Sequence, residues 1–201
     1  MTTIVMDTSN QYLAVGIYQD GQLIANKQMI GSKRQSEEAI PVLNALCEEA
    51  HIELRDVNEM IITKGPGSYT GVRVAMTIAK TLAVISNVKI KTISSLAAYG
   101  ADGKKIAIID ARSKKVFACV YEDGQPLTKE MLLTHEELAA LQEKYPDYAL
   151  VGELKALDLP NVDVDLVSAI YDLGQQVKPI EQVDLLVPTY IKDVEAKKKW
   201  Y

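Results

Sequence analysis

Short apolar runs separated by polar turns mark the start of the chain. Apolar residues dominate 4–6, 12–18 and 22–30, and the pair Asp20-Gly21 between the last two runs is a typical hairpin signal. A polar turn, Asp7-Thr8-Ser9-Asn10, separates the first two runs. The pattern predicts a set of three antiparallel strands.

Helical spacing replaces this alternation after residue 35. Ser36 is a suitable N-cap for a helix over 37–50, whose apolar stripe includes Leu43 and Leu46. Pro41 lies close enough to the start of this helix to kink it or to shift its boundary. Beyond it, the pattern predicts a strand at 60–63, a long helix at 70–85 and a strand at 89–93.

A glycine-rich loop, Lys64-Gly65-Pro66-Gly67-Ser68-Tyr69-Thr70-Gly71-Val72-Arg73, joins the strand at 60–63 to the long helix. Free N–H groups at a helix N-terminus favour an anion, so one interpretation is a phosphate cradle. The other interpretation is a tight strand-to-helix turn. A Walker loop would need Lys after Gly71, where the chain has Val72, and the third glycine comes one residue late for a dinucleotide fingerprint.

Small residues recur every four positions along the long helix, forming a ridge that another helix could approach closely. Apolar residues flank the ridge on both sides, so the helix needs partners on more than one face. We expect part of the ridge, with the stripe of the 37–50 helix, to stay exposed for another chain; the alternative is that its own domain covers it. The interface candidates are Leu43, Leu46, Gly71, Ala75, Ala79, Leu82 and Ala83.

The hairpin pattern begins again near Ile106. Residues 7–22 align without a gap with 110–125, an offset of 110 − 7 = 103, and the hairpin residues Asp20-Gly21-Gln22 recur as Asp123-Gly124-Gln125. The match predicts a duplicated α/β domain, with an N-terminal domain at 1–100 and a degenerate repeat at 101–201 whose last residues are candidates for packing back on the first. The repeat continues with a helix at 136–143 capped by Thr134, a strand at 149–151 and a helix at 168–177.

Composition narrows the classes of protein. The 201 residues are 48% hydrophobic, enough for a sizeable core, and the formal charge of −5 argues against a broad basic face that holds nucleic acid by itself. Cys47 and Cys119 lack Cys-x-x-Cys spacing, so we expect reduced, buried thiols. The first residues show neither a basic region nor a long apolar core, so we expect neither a signal peptide nor a membrane span there. The basic run Lys197-Lys198-Lys199 predicts a solvated tail, or alternatively a minor contact with a nucleic-acid backbone.

Candidate catalytic chemistry is sparse in this sequence. The two histidines, His51 and His135, are 84 residues apart (135 − 51 = 84), and neither has a second histidine one helical turn away. We expect both on the surface or at helix ends. The sequence therefore predicts no metal, no cofactor and no catalytic residue.

The motif Gly-Pro-Gly-Ser-Tyr-Thr-Gly-Val-Arg at 65–73 resembles the signature of the TsaB (YeaZ) family, the accessory subunit of bacterial tRNA threonylcarbamoyladenosine synthesis. The segment Leu186-Val187-Pro188-Thr189-Tyr190-Ile191-Lys192 resembles the Pro-x-Tyr element near the C-terminus of that family. One departure is Gln35-Ser36-Glu37, where the family often has histidine before the serine.

Two tandem domains of this kind resemble the actin, hexokinase and Hsp70 type of ATPase-like (ribonuclease H-like) fold, in which two hairpin turns converge on the phosphates. The corresponding turns here are Asp7-Thr8-Ser9 and Asp110-Ala111-Arg112, and neither contains the glycine that active members have. We therefore expect an inherited, disabled cleft, or simply two acids that cap hairpin turns. The candidates for weak or vestigial nucleotide contact are Asp7, Thr8, Ser9, Gly65, Gly67, Ser68 and Asp110.

The resemblance implies a cytoplasmic, non-catalytic protein that docks on the catalytic subunit TsaD, with the ATPase TsaE joining. TsaD would then move threonylcarbamoyl from its adenylate to N6 of the adenosine beside the anticodon. The chain would be a homodimer when alone, would meet tRNA only through the complex and would not touch a membrane. The competing classes are an ATP-dependent small-molecule kinase of the same fold and a glycoprotease-like peptidase.

Overall fold

The computed structural model describes residues 1–31 and 35–191. Within these residues the strands form two five-stranded sheets. The first contains β1 (Thr2–Asp7), β2 (Tyr12–Gln19), β3 (Gln22–Ile30), β4 (Glu59–Thr63) and β5 (Lys89–Ile93), and the second β6 (Lys104–Arg112), β7 (Lys115–Glu122), β8 (Gln125–Pro126), β9 (Met131–Thr134) and β10 (Ala149–Gly152). The helices are α1 (Gln35–Glu49), α2 (Tyr69–Ser86), α3 (Ser95–Tyr99), α4 (His135–Lys144) and α5 (Leu166–Gln175), with short 3-10 turns at Leu54–Asp56, Leu154–Leu157 and Val183–Leu185.

The two sheets repeat one arrangement of strands. In the first, β1 pairs antiparallel with β2 and parallel with β4; in the second, β6 pairs antiparallel with β7 and parallel with β10. Strand β2 covers 12–19 and β7 covers 115–122, so both bounds differ by 103 (115 − 12 = 103; 122 − 19 = 103). The predicted α/β fold with a duplicated hairpin sheet is confirmed.

Most predicted elements lie within two residues of their expected bounds. Helix α1 begins at Gln35 and continues through Pro41, which is exposed and leaves the helix unbroken. Thr134 caps α4 with a full capping box, in which its side chain accepts from Glu137 N while the Glu137 carboxylate accepts from Thr134 N. The five-residue helix α3 escaped prediction because it is too short to show a period.

Both faces of the first sheet are covered. Alternation along β1 directs Ile4 and Met6 toward α1 and α2, and directs Val5 toward α3 and α5. Helix α5 fits closely because Gly174 has no side chain; a Cβ atom there would lie 2.4 Å from Ile61 Cδ1. The core of the first sheet therefore includes a helix from the second half of the chain. The division into domains at 1–100 and 101–201 stays a prediction.

The expectation of an exposed small-residue ridge on α2 is wrong for most of its members. Ala75 and Ala79 are 0% exposed, Gly71 is buried, and Ala83 is half-buried. Leu43, Leu46 and Leu82 are buried as well, since α1 and α2 turn these residues toward each other and toward the first sheet. The monomer's own core covers the ridge, and contact of these residues with a partner stays a prediction.

A membrane-spanning segment requires a long run of apolar residues within one helix. None of the helices in residues 1–31 and 35–191 is long and apolar enough to cross a bilayer.

Candidate functional site

Three segments that are distant in sequence meet at the N-terminus of α2. The glycine loop fits against the β1–β2 turn because Gly67 and Gly71 lack side chains. A Cβ atom on Gly67 would lie 2.1 Å from Ser9 O, and one on Gly71 would lie 2.0 Å from Thr8 O. These two glycines therefore allow a backbone-to-backbone contact that any side chain would prevent.

Hydrogen bonds fasten this contact. Thr8 Oγ1 donates to Gly71 O at 2.6 Å and accepts from Ala75 N at 3.1 Å, while Ser68 N donates to Ser9 O at 2.7 Å. The Ser68 side chain caps the helix by accepting from Gly71 N at 3.2 Å. Because the Ser68 and Gly71 N–H groups already have protein partners, the geometry favours the tight strand-to-helix turn over the phosphate cradle. Nucleotide contact at Gly65, Gly67 and Ser68 stays a prediction.

The C-terminal segment 186–191 closes the loop from the other side. Thr189 N donates to Lys64 O at 2.8 Å. Gly65 has a φ of +99°, and a Cβ atom on it would lie only 2.8 Å from Thr189 O, so a side chain does not fit there. The Tyr190 ring stacks on Tyr69 with centroids 5.5 Å apart. The motif at 65–73 and the Pro-Thr-Tyr element are thus two halves of one structure.

The two hairpin aspartates have different surroundings. Asp7 is fully buried and accepts from Ser9 N at 2.7 Å, from Thr63 Oγ1 at 2.6 Å and from the Asn10 amide. Burial raises the pKa of Asp7 and these hydrogen bonds oppose that shift. Asp110 is exposed and accepts from Arg112 N at 2.7 Å. Both acids cap hairpin turns, as the structural alternative expected.

A cavity of about 420 Å³ lies between the two hairpin turns and next to the start of α2. One carboxylate bridges its walls: Glu153 Oε1 accepts from Gln11 N at 2.5 Å and Oε2 accepts from Asp110 N at 2.7 Å. Burial raises the pKa of Glu153 to about 7, against the pull of these two hydrogen bonds, and the nearby carboxylates Asp110 and Asp7 raise it further. Sequence reasoning missed Glu153, and its one signal was the neighbouring Gly152 at the end of a predicted strand.

A second cavity, of about 510 Å³, is a groove between α1 and α2 that we call the α1–α2 groove. Its wall includes Ile40, which is 46% exposed, and Ile85, which is 67% exposed. The groove is lined by Ser36, Ile40, Leu43, Asn44, Leu54, Thr70, Arg73, Val74, Thr77, Ile78, Thr81, Leu82 and Ile85. Of the predicted interface residues, Leu43 and Leu82 line the groove. Its exposed apolar residues, such as Ile40 and Ile85, were not among the predicted interface residues.

An aromatic cluster lies at one end of the groove. The Arg73 guanidinium carbon lies 3.7 Å from the centre of the exposed Tyr69 ring and 5.7 Å from the centre of the Tyr190 ring, which stacks on Tyr69. Because Arg73 also lines the groove, the apolar surface and the closing C-terminal segment are continuous.

The remaining residues considered in the sequence are two cysteines, two histidines and a basic run. Cys47 and Cys119 are free and buried, and burial raises the pKa of each thiol. His51 follows the end of α1 and His135 is the first residue of α4. Among the described residues no group of three or more His, Cys, Asp or Glu is arranged to hold a metal ion. The basic run Lys197-Lys198-Lys199 lies outside the described residues.

Comparison with known proteins places this geometry in a family. The family model "TsaD: tRNA N6-adenosine threonylcarbamoyltransferase" matches residues 27–168. The chain belongs to this family. Within it, the resemblance to TsaB (YeaZ) proteins is confirmed, since the chain is 28% identical over 225 aligned residues to "tRNA threonylcarbamoyladenosine biosynthesis protein TsaB" of Bacillus subtilis (strain 168), covering 100% of this chain and 98% of the relative.

Further matches agree with this TsaB assignment. The protein of the same description from Escherichia coli (strain K12) is 28% identical over 129 residues, covering 61% of this chain and 55% of that relative. The solved structure "YeaZ from Pseudomonas aeruginosa" superposes with a TM-score of 0.78 at 22% identity, covering 94% of this chain and 99% of that one. The TsaB-like chain therefore has the YeaZ fold, of the ATPase-like type that the duplicated hairpins predicted.

Proposed function

We propose that this chain is a non-catalytic subunit needed for making threonylcarbamoyladenosine in tRNA. In this role it supports transfer of the threonylcarbamoyl group from threonylcarbamoyl-AMP to N6 of the adenosine next to the anticodon, in tRNAs that read codons beginning with A. The relative from Bacillus subtilis, matched over the full chain, is named for biosynthesis of this nucleoside. Cytoplasmic location belongs to the same proposal.

The observation that carries the proposal is the α1–α2 groove. It is an exposed, largely apolar depression between two helices, and contiguous apolar surface of this kind typically marks a protein interface. Ile40 contributes from α1 and Ile85 from α2, so both helices present side chains outward while their other faces pack on the first sheet.

The occupant we propose is the corresponding helix pair of a TsaD-like catalytic subunit. Because TsaD resembles this chain in fold, its equivalent helices can pack against α1 and α2 as a four-helix contact. A second copy of this chain offers the same surface, which gives a homodimer when the chain is alone. A TsaE-like ATPase then joins, and tRNA binds through the complex, in keeping with the formal charge of −5.

Asp7 argues against the kinase alternative. An ATP-dependent kinase of this fold would need a carboxylate free to act on a metal or a nucleophile, whereas the Asp7 carboxylate accepts three hydrogen bonds from its own turn and from Thr63. Both oxygens are committed to holding the β1–β2 turn.

The test compares two neighbouring residues on α2. Ile85→Glu places a charge in the groove, whereas Val84→Glu places the same charge on an adjacent side chain that is 79% exposed and does not line the groove. We expect Ile85→Glu to weaken binding to the TsaD-like subunit of the source cell at least tenfold and to lower threonylcarbamoyladenosine in tRNA after replacement of the wild-type gene. Val84→Glu should retain both. Equal effects of the two variants, or none from either, would contradict docking through the groove.

A further inference from the structure

The cavity between the two hairpin turns is bridged by an anion that the chain supplies itself. We propose that the Glu153 carboxylate acts as a built-in anion that holds the two hairpin turns together and keeps phosphate-bearing ligands out of the cavity. This role is independent of docking through the α1–α2 groove.

The geometry is that of an anion site. Two backbone N–H groups, one from the β1–β2 turn at Gln11 and one from the end of β6 at Asp110, point at the two oxygens of one carboxylate, at 2.5 and 2.7 Å. Converging backbone N–H groups in turns are a common way of binding phosphate and carboxylate. Because the two donors belong to different sheets, the carboxylate is a tie between the two halves of the fold. Glu153 itself is only 9% exposed.

The backbone conformation before Glu153 places its side chain at the cavity. Gly152 has a φ of +109°, and a Cβ atom there would lie 2.0 Å from Ile108 O, so the chain turns toward the cavity by passing directly over β6. Glu153 N donates to the same Ile108 oxygen at 3.0 Å. A second tie lies beside it, since Asn161 Nδ2 donates to Gln11 Oε1 at 3.1 Å.

Further donors line the cavity. The buried Gln11 Nε2 has no hydrogen-bond partner within the described residues, and the fully buried Ser9 Oγ lies beside the Asp7 carboxylate. Arg112 also lines the cavity. With the Glu153 carboxylate removed, the lining of this cavity of about 420 Å³ would still include Ser9, Gln11 and Arg112 and the two freed backbone N–H groups, with Asp110 as the remaining acid, and these donors suit inorganic phosphate or a phosphate monoester.

The charges around Glu153 make the tie sensitive to protons. Asp7 faces it from the β1–β2 turn and Asp110 from the end of β6, while Arg112 lines the same cavity and the buried Tyr99 hydroxyl, on α3, stays neutral. With a pKa of about 7, Glu153 gains a proton near neutrality. A protonated carboxyl accepts the two N–H groups more weakly, so these hydrogen bonds loosen below that pH even though the neutral group costs less to bury.

The direct test uses inorganic phosphate as the probe. We expect the Glu153→Ala variant to bind phosphate at least tenfold more tightly than the wild type, with phosphate-dependent shifts of the Gln11 and Asp110 backbone amide signals in NMR spectra. Glu130→Ala is the matched control, because Glu130 is a partly buried glutamate that accepts from Ser94 and lies outside the cavity lining. A folded Glu153→Ala protein that binds phosphate no better than wild type, or equal binding by the control, would overturn the proposal.

A second measurement needs only the folded wild type and a conservative variant. On titration from acid to alkaline pH, the Gln11 and Asp110 amide signals should move together with one midpoint near 7. That shared transition should vanish in Glu153→Gln, which keeps the shape of the side chain but cannot ionise. Independent midpoints for the two amides, or a transition that survives in Glu153→Gln, would show that the carboxylate does not tie the turns.

Discussion

Replacement of Gly71 by alanine tests the contact on which the whole site rests. In an unobstructed helix this change stabilises a protein by about 0.5–1 kcal/mol, because glycine loses more backbone freedom on folding. Here the new Cβ atom would lie 2.0 Å from Thr8 O, whereas contacts under 3.0 Å essentially do not occur. The turn or the helix must therefore move by about 1 Å (3.0 − 2.0 = 1.0 Å).

The expected size of the effect follows from what that movement breaks. Overpacking costs about 1–3 kcal/mol. The Thr8 hydroxyl would also lose good geometry to Gly71 O and Ala75 N, at about 1 kcal/mol for each hydrogen bond. After subtracting the gain in helix propensity, we expect Gly71→Ala to lower the free energy of unfolding by about 2–4 kcal/mol. For a chain of this length the melting temperature should fall by roughly 4–16 °C.

Urea denaturation followed by circular dichroism measures this change directly. Thr77→Ala serves as the control, because Thr77 is exposed on the same helix and the substitution should leave stability within about 0.5 kcal/mol of wild type. An unchanged or increased stability of Gly71→Ala would refute the reasoning, since it would mean that the helix and the β1–β2 turn have room between them.

Other substitutions test other parts of the structure. Lys91→Met should lower the free energy of unfolding, measured by urea denaturation, by about 3–5 kcal/mol, because the buried Glu59 carboxylate loses the ammonium group 2.9 Å away. The double variant Lys91→Met/Glu59→Leu should recover most of this loss, and equal stability of the single and double variants would contradict the prediction. Because the pKa of Glu153 is raised in the folded state, the protonated side chain stabilises the fold fully below a pH of about 4.5, and this stabilisation is lost as the pH rises toward about 7. The free energy of unfolding of Glu153→Gln should therefore fall less steeply than that of the wild type across this pH range. Ala79→Leu should melt early yet still bind the TsaD-like subunit once folded, because Ala79 is wholly buried; a stable variant that no longer binds would restore the ridge as an interface. Metal analysis of the purified chain should find no stoichiometric zinc or iron, and one metal per chain would contradict the sequence prediction.

The strands and the repeat could be predicted because alternation and hairpin turns are local signals. The offset of 103 residues, found by matching Asp7 with Asp110, holds for both ends of β2 and β7. Helix α2 was predicted to within one residue at either end, because its apolar positions recur over several turns.

The surfaces could be predicted only in part, because periodicity does not say what covers a face. Apolar residues around α2 correctly indicated partners on more than one side. However, Ala75 and Ala79 are buried in the core of the first sheet, and exposed residues such as Ile85 line the groove instead. Glu153 was out of reach for a different reason. It contacts Gln11 across 142 residues, and a single carboxylate after a short strand has no pattern of its own.

The closing segment 186–191 has a consequence for how the chain is made. A ribosome releases the glycine loop well before Thr189, whose N–H group pairs with Lys64 O. Helix α5, which covers one face of the first sheet, also emerges long after that sheet. The nascent first half thus carries an uncovered sheet face and a glycine loop without its C-terminal hydrogen-bond partner until the last segments emerge. The Tyr69–Tyr190 stack at the start of α2 can therefore form only in chains synthesised through residue 190.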